Sequence, residues 1–326
     1  MEWKTRVTEL LGCKYPILEG AFAGFGNWEF AAAVAETGAF GLITASVSST
    51  AEGLREDIRK CRAATDGAFG VNLTLSGATL PKVPEMLEVC IEEGVPVETA
   101  AYKPDDFAAR IKKSGIPWIH KSARVKDAIH AEAMGADAVI VVGMEGCGFK
   151  SPEQLPTLIT TTWAKRVIKV PYIASGGIGD ARGFLGALGM GADGVMLGTA
   201  IMATKECPVK DTIKEAIIET APDNTQLRHR VLAVANPKDV EEVMKLRKEM
   251  PMNEWLPMLE RVNLKDPDWR NPSAATTLDE ATDARLRMIS LAVGVVDGES
   301  TVKEFIDNII CEAEELLDSF QFLNTR

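Results

Sequence analysis

The feature that most constrains this chain is an alternation. Before about residue 220, short β-rich runs alternate eight times with helical patterns. The runs fall at 15–20, 40–44, 69–73, 96–99, 117–120, 136–142, 171–175 and 192–197. Strands that take turns with helices pair in parallel through right-handed crossovers. Eight such units favour closure into a barrel over an open sheet. Gly38, Gly94, Gly115, Gly135 and Gly191 each end a helical pattern just before the next run. That is the position where a helix exits through a left-handed residue, the conformation glycine adopts at least cost. The expected fold is α/β, a TIM (β/α)8 barrel over 1–220 with a smaller helical subdomain over 221–326, packed near the barrel mouth. In this second part helical patterns occur at 238–248, 278–294 and 302–320.

The last two units, PYIASGGIGDARGFLGALGMGADGVMLGT, read as strand, Gly-Gly turn, helix, Gly turn, strand, Gly-Thr turn. At Gly176 and Gly177 no Cβ blocks close approach of the backbone to a ligand. Two successive strand ends opening into glycine let backbone N–H groups converge, and such a convergence favours an anion. In this barrel the loops after the seventh and eighth strands are the usual phosphate site. A phosphate is therefore expected at Gly176, Gly177, Gly198 and Thr199.

The other strand ends supply the remaining candidates, because barrel chemistry sits at the C-terminal face. The first delivers Glu19 and the small-residue turn Gly20-Ala21-Phe22, the third Asn72 and Thr74, and the fourth Glu98 and Thr99. The fifth delivers His120 and Lys121, which strand alternation points in opposite directions. Lys121 is kept for the mouth and His120 for the helix layer. The sixth delivers Gly143 and Glu145, which is either a catalytic group or an acceptor of backbone N–H groups. Cys147 has no neighbouring histidine to activate it. With three histidines in the chain and no ligand spacing, no metal site is expected.

The formal net charge of −11 argues against nucleic acid and anionic membranes as partners. No apolar run reaches the length of a membrane span, and the N-terminus lacks the apolar core of a signal peptide. Six scattered cysteines without CxxC pairs suit a reducing compartment, so a cytoplasmic location is expected. The expected partner is a small-molecule substrate, and a homo-oligomer stays open.

The strings FGVNLTL, VETA, IHKSARVKDAIHAEAMGADAVIV, GMEGCG, IASGGIGDARG, GADGVMLGT and ATKECPV together resemble the nitronate monooxygenase (2-nitropropane dioxygenase-like) family. That family includes NAD(P)H:quinone reductases and FabK-type enoyl-acyl-carrier-protein reductases. The resemblance covers nearly the whole chain and implies a non-covalent FMN between a TIM barrel and a small helical domain. Carried over by position, flavin contacts would fall on Phe22 and Asn72, on Lys121 and Gly143, on Ser175, Gly176 and Gly177, and on Gly198 and Thr199. Lys121 at the flavin edge would favour the anionic reduced flavin.

The departures from the family pattern carry as much meaning. After the sixth strand the family usually reads Glu-x-x-Gly-His; here the string is Glu145-Gly146-Cys147-Gly148-Phe149, followed by Lys150. Phe149 cannot take a proton or stabilise an oxyanion. Hydride transfer through a flavin needs no protein base and survives that loss. The resemblance therefore implies an FMN-dependent oxidoreductase passing a hydride from NAD(P)H to a quinone or activated alkene. Lys121, Glu145, Phe149 and Lys150 are the candidate catalytic residues, and Lys150, Tyr102 or water would supply a proton. The alternatives are a nitronate monooxygenase oxidising alkyl nitronates with O2, and a non-redox phosphate-binding barrel enzyme using Lys121 with Glu145. No Rossmann-type GxGxxG with a downstream acid appears, so NAD(P)H would dock transiently at the mouth.

Overall fold

A computed structural model describes residues 1–22, 24–75, 77–101, 104–148, 150–232, 234–263, 265–266, 268–271 and 284–319. Eight strands follow in chain order: β1 (Ile17–Glu19), β2 (Gly41–Thr44), β3 (Phe69–Leu75), β4 (Val97–Ala101), β5 (Trp118–Ser122), β6 (Ala138–Val142), β7 (Tyr172–Ser175) and β8 (Gly194–Leu197). They form one sheet in the order β1-β8-β7-β6-β5-β4-β3-β2, and each neighbouring pair is parallel. The two ends meet where Leu18 bridges Phe40. Glu19 N donates to Phe40 O and Phe40 N to Ile17 O, both at 2.9 Å. Beyond that bridge the seam is held by a side chain: Leu42 N donates to Glu19 Oε2 at 2.9 Å. The result is the expected TIM barrel, closed at one seam by the fully buried Glu19.

The barrel interior is filled by Leu18, Leu42, Ile119, Ile140, Ile173 and Met196. Val7 and Leu11, from the helix Arg6–Leu11, belong to the same cluster and plug its N-terminal end. The opposite end is left open to the chemistry. Alternate strand residues face outward onto the helices, as the period of two requires. Helix Trp28–Glu36 lies so close on β2 that a Cβ on Gly41 would sit 2.1 Å from Ala31 O. The five glycines expected at helix exits all have φ between 66° and 103°.

The chain after β8 forms helices Asp211–Glu219, Thr225–Leu232, Pro237–Leu246 and Met252–Asn263. The second and fourth of these have no counterpart among the expected helical patterns. The third and fourth share a small apolar core with Val243, Trp255, Leu256 and Trp269 buried in it. The last helix, Val302–Ser319, lies back on the barrel wall against Ala181–Gly189 and Trp28–Glu36.

The single helix expected at 278–294 is not what the described part of that stretch forms. It is two short 3-10 turns, Ala284–Met288 and Ala292–Val295, with a non-helical joint at 289–291 between them. The reason lies in the hydrogen bonds. Ser290 N donates to Thr199 Oγ1 at 2.8 Å and Leu291 N to Glu145 O at 3.1 Å. Both donors are spent on the barrel mouth and are lost to a helical ladder.

Candidate active site

A cavity of about 550 Å³ opens at the C-terminal ends of the strands. One side is formed by the glycine units. Ser175, Gly176 and Gly177 line it after β7, and Gly198 and Thr199 after β8. Gly176 and Gly177 have φ of 106° and 72°, a conformation costly for any other residue. Space is short too: a Cβ on Gly176 would lie 2.9 Å from Thr157 Oγ1. Ser175 Oγ donates across to Met196 O at 3.2 Å and ties the two units together.

The floor carries the polar groups. Asn72 and Lys121 line the cavity. Lys121 Nζ is 3.2 Å from Glu98 Oε1, and Glu98 is 1% exposed. Burial pushes the Glu98 carboxyl above the usual range, and Lys121 and Asn72 oppose that shift. Asn72 Oδ1 accepts from Thr74 Oγ1 at 2.9 Å, while its buried Nδ2, beside the Glu98 carboxyl, makes no well-formed hydrogen bond. An amide donor left free at the wall of a cavity is a ready contact for a ligand acceptor. His120 points the other way, as alternation requires. It is buried among the helices with Nδ1 2.8 Å from Thr99 Oγ1, and burial lowers its pKa to about 4. It is thus a neutral packing residue.

Not every expected site residue reaches the cavity. Glu145 is absent from the lining. Its Oε2 accepts from Thr157 N and Thr157 Oγ1, both at 2.8 Å, which places a carboxylate at the N-terminus of helix Thr157–Val167. A negative group is favoured there by the helix dipole and the free N–H groups. Of its two expected readings, the structure places Glu145 in the acceptor one. Gly143 is also outside the lining. A Cβ there would fall 2.0 Å from Thr157 Oγ1, so that same packing requires the glycine. Phe149 and Tyr102 lie outside the described residues. Phe22 and Lys150 do line the cavity. Phe22 stacks on Phe25 with ring centroids 5.1 Å apart.

Sequence reasoning missed a whole wall. Arg287, Met288 and Ser290 line the cavity from the stretch after residue 283, and Asn263 from the end of helix Met252–Asn263. Asn263 Nδ2 donates to Lys150 O at 3.0 Å. These residues carry no local motif, and only the return of the tail over the mouth brings them in. Ala101, at the end of β4, also lines the cavity with a φ of 84°, a strained backbone of the kind that gathers at ligand sites.

Comparison with known proteins agrees with this geometry. A (3aS,4S,5R,7aS)-5-hydroxy-7a-methyl-1-oxo-octahydro-1H-indene-4-carboxyl-CoA dehydrogenase of Mycobacterium tuberculosis (strain ATCC 25618 / H37Rv) is 29% identical over 348 residues, covering 96% of this chain and 97% of the relative. A probable nitronate monooxygenase of Staphylococcus aureus (strain Newman) is 26% identical over 76% of this chain and 82% of its own length. Among solved structures, FabK from Thermotoga maritima matches with a TM-score of 0.75 at 30% identity, covering 98% of this chain and 99% of that one. A nitroalkane oxidase from Streptomyces ansochromogenes shares the fold, with a TM-score of 0.73 at 23% identity. The family model described as nitronate monooxygenase matches residues 4–312. With the match spanning the barrel, the mouth and most of the tail, this chain belongs to the nitronate monooxygenase family of oxidoreductases.

Proposed function

We propose that the protein is an FMN-dependent oxidoreductase that takes a hydride from NAD(P)H and passes it to an organic acceptor, an alkene conjugated to a thioester. The observation that carries this reading is the joining of the Gly176–Gly177 and Gly198–Thr199 turns to Lys121 and Asn72 in one cavity. The volume of about 550 Å³ suits a ligand of cofactor size. The residues present fit such a group. The glycine turns leave no Cβ in the way of a phosphate, and the orphaned Asn72 Nδ2 offers a donor to a ring edge. Bound there, FMN would supply a two-electron acceptor and donor. The carboxyl-CoA dehydrogenase and FabK relatives support a thioester substrate.

The chain's own residues do the rest. Ser175, Gly176, Gly177, Gly198 and Thr199 hold the phosphate end. Asn72 would hold the ring through its amide, and Phe22 would supply an apolar wall beside it. Lys121 holds a positive charge at the floor, where Glu98 fixes its position. Saturating a carbon–carbon double bond takes one proton besides the hydride. Lys121 Nζ, as an ammonium group, is the donor at the floor, held in place by the Glu98 carboxylate, and it regains its proton from water through the open mouth. Lys150 is held at the rim instead, its Nζ donating to Met144 O at 2.6 Å.

The test is the visible spectrum of the purified, FMN-loaded protein under anaerobic conditions as NADH and then NADPH is added. Bleaching of the flavin band by either, and its return on adding an enoyl thioester, is expected. A protein that binds no flavin overturns the reading. So does a flavin that stays oxidised with both nucleotides but is reduced by a nitronate.

A further inference from the structure

Among the described residues, one corner of the cavity collects positive charge with no carboxylate in an ion pair with it. Lys150 and Arg287 line the cavity there. Arg230 stands directly behind, its Nη1 donating to Cys147 Sγ at 3.6 Å and its Nη2 to Ile289 O. Cys147 Sγ in turn contacts Arg287 O at 3.7 Å. Lys265 completes the group, donating to His229 O at 3.2 Å and Arg230 O at 3.0 Å. Among the described residues, none of these four bases pairs with a carboxylate. The Nε atoms of Arg230 and Arg287 are buried and have no partner at all.

This departs from the pattern of the molecule. The chain holds 47 acids against 36 Lys and Arg, and its other half-buried arginines are paired. Arg55 meets three glutamates, and Arg124 meets Asp127 and Glu153. In so acidic a protein, four clustered bases with no paired carboxylate among the described residues are an exception, and one that an anion from outside would complete. The arrangement is unfavourable by itself: burial, joined by the charges of Arg230 and Lys265 and opposed by Cys147 and Glu145, pushes the Lys150 amine down to about 8, and burial and Arg230 lower Lys265. A ligand bearing two or more negative charges would offset that penalty, and a guanidinium grips phosphate oxygens in pairs.

We infer that Lys150 and Arg287, backed by Arg230 and Lys265, form a docking site for the pyrophosphate of an adenine-nucleotide tail, separate from the glycine turns that hold the flavin phosphate. Coenzyme A thioesters and NAD(P)H share that tail. The inference rests on the proposed oxidoreductase function, which brings one or both of them to this cavity. The tail lies at the rim, and the reactive end points inward to Lys121.

Calorimetric titration of the flavin-loaded full chain with coenzyme A, NADH, NADPH and inorganic pyrophosphate tests the site without turnover. Binding of coenzyme A or of a dinucleotide, displaced by pyrophosphate and weakened by added salt, is expected. Arg287→Gln should weaken it about 10-fold, Lys150→Gln by a similar factor, and Arg287→Lys by less than Arg287→Gln. Arg110→Gln, on the outer wall, should leave it unchanged. Binding of coenzyme A alone assigns the corner to the acceptor, and binding of a dinucleotide alone assigns it to the hydride donor. Binding that ignores both substitutions, occurs only in flavin-free protein, or is absent for all four probes overturns the inference. Tail binding through Arg287 in a protein whose flavin no nucleotide bleaches would keep the site and remove the function.

Discussion

Two lysines line the same cavity under different electrostatic regimes. Lys121, on the floor, has Glu98 at 3.2 Å. Lys150, on the rim, has a carbonyl for its hydrogen-bond acceptor, no ion-paired carboxylate among the described residues, and Arg230 and Lys265 among the charges around it. The floor pair is complete within the protein, so its task is to hold geometry and a proton. The rim is incomplete within the protein, so its task is to receive charge from outside. The difference teaches where the cavity ends its own chemistry and begins to meet its substrate.

The comparison can be broken most sharply at the floor. Lys121→Met should destabilise the fold by about 3–5 kcal/mol at neutral pH, because it strands Glu98 in a dry interior. Adding Glu98→Gln should restore most of that loss in denaturant titrations; no recovery would mean the pair is not the source. At the rim the expected pattern is reversed. Lys150→Met should change fold stability by less than about 1 kcal/mol.

The rim should also respond to pH. With the Lys150 amine lowered to about 8 from an ordinary value of about 10.4, it is cationic below pH 8 and loses its charge as pH rises through 8. Binding of pyrophosphate should therefore weaken over that interval. Cys147, Arg230, Glu145 and Lys265 are the charged or titratable groups around it. The transition should vanish in Lys150→Gln and persist in Cys147→Ser, as followed by titration across about pH 6.5–9.5.

Two smaller effects sharpen the border of the site. Glu145→Gln keeps an acceptor for Thr157 but removes the charge at that helix N-terminus. It should lower stability by about 0.5–1 kcal/mol and leave the rate of flavin reduction by nucleotide unchanged; a loss of rate would return Glu145 to the chemistry. Ala101→Gly relieves a φ of 84° and should raise the midpoint of thermal unfolding by the equivalent of about 0.5 kcal/mol.

Much of this was legible in the residues. The strand–helix alternation and the glycines at helix exits dictate a parallel barrel, because those signals are local and repeat eight times. The turns at Gly176–Gly177 and Gly198–Thr199 were legible for a related reason. Residues that follow strand ends in a barrel reach one face together, wherever the tail goes. The period of two alone separated Lys121 from His120. Less was legible after β6, where Glu145 accepts from Thr157 N and Gly143 leaves room for the Thr157 side chain. A carboxylate that caps a helix and one that faces a substrate have the same sequence signature.

The tail was the least legible part. The pattern at 278–294 suits a helix, yet Ser290 and Leu291 spend their N–H groups on Thr199 and Glu145, and the described stretch turns into 3-10 pieces. The sequence by itself determined the barrel, the glycine turns and the residues that point into the mouth, since each depends on short-range periodicity or on a backbone conformation open to few residues. Only the tertiary structure decided that Glu98 sits behind Lys121, and that Arg230, Lys265 and Arg287 gather beside Lys150. Those meetings join residues far apart in the chain, and their energies are set by burial and by which charges the fold pairs, which no local pattern encodes.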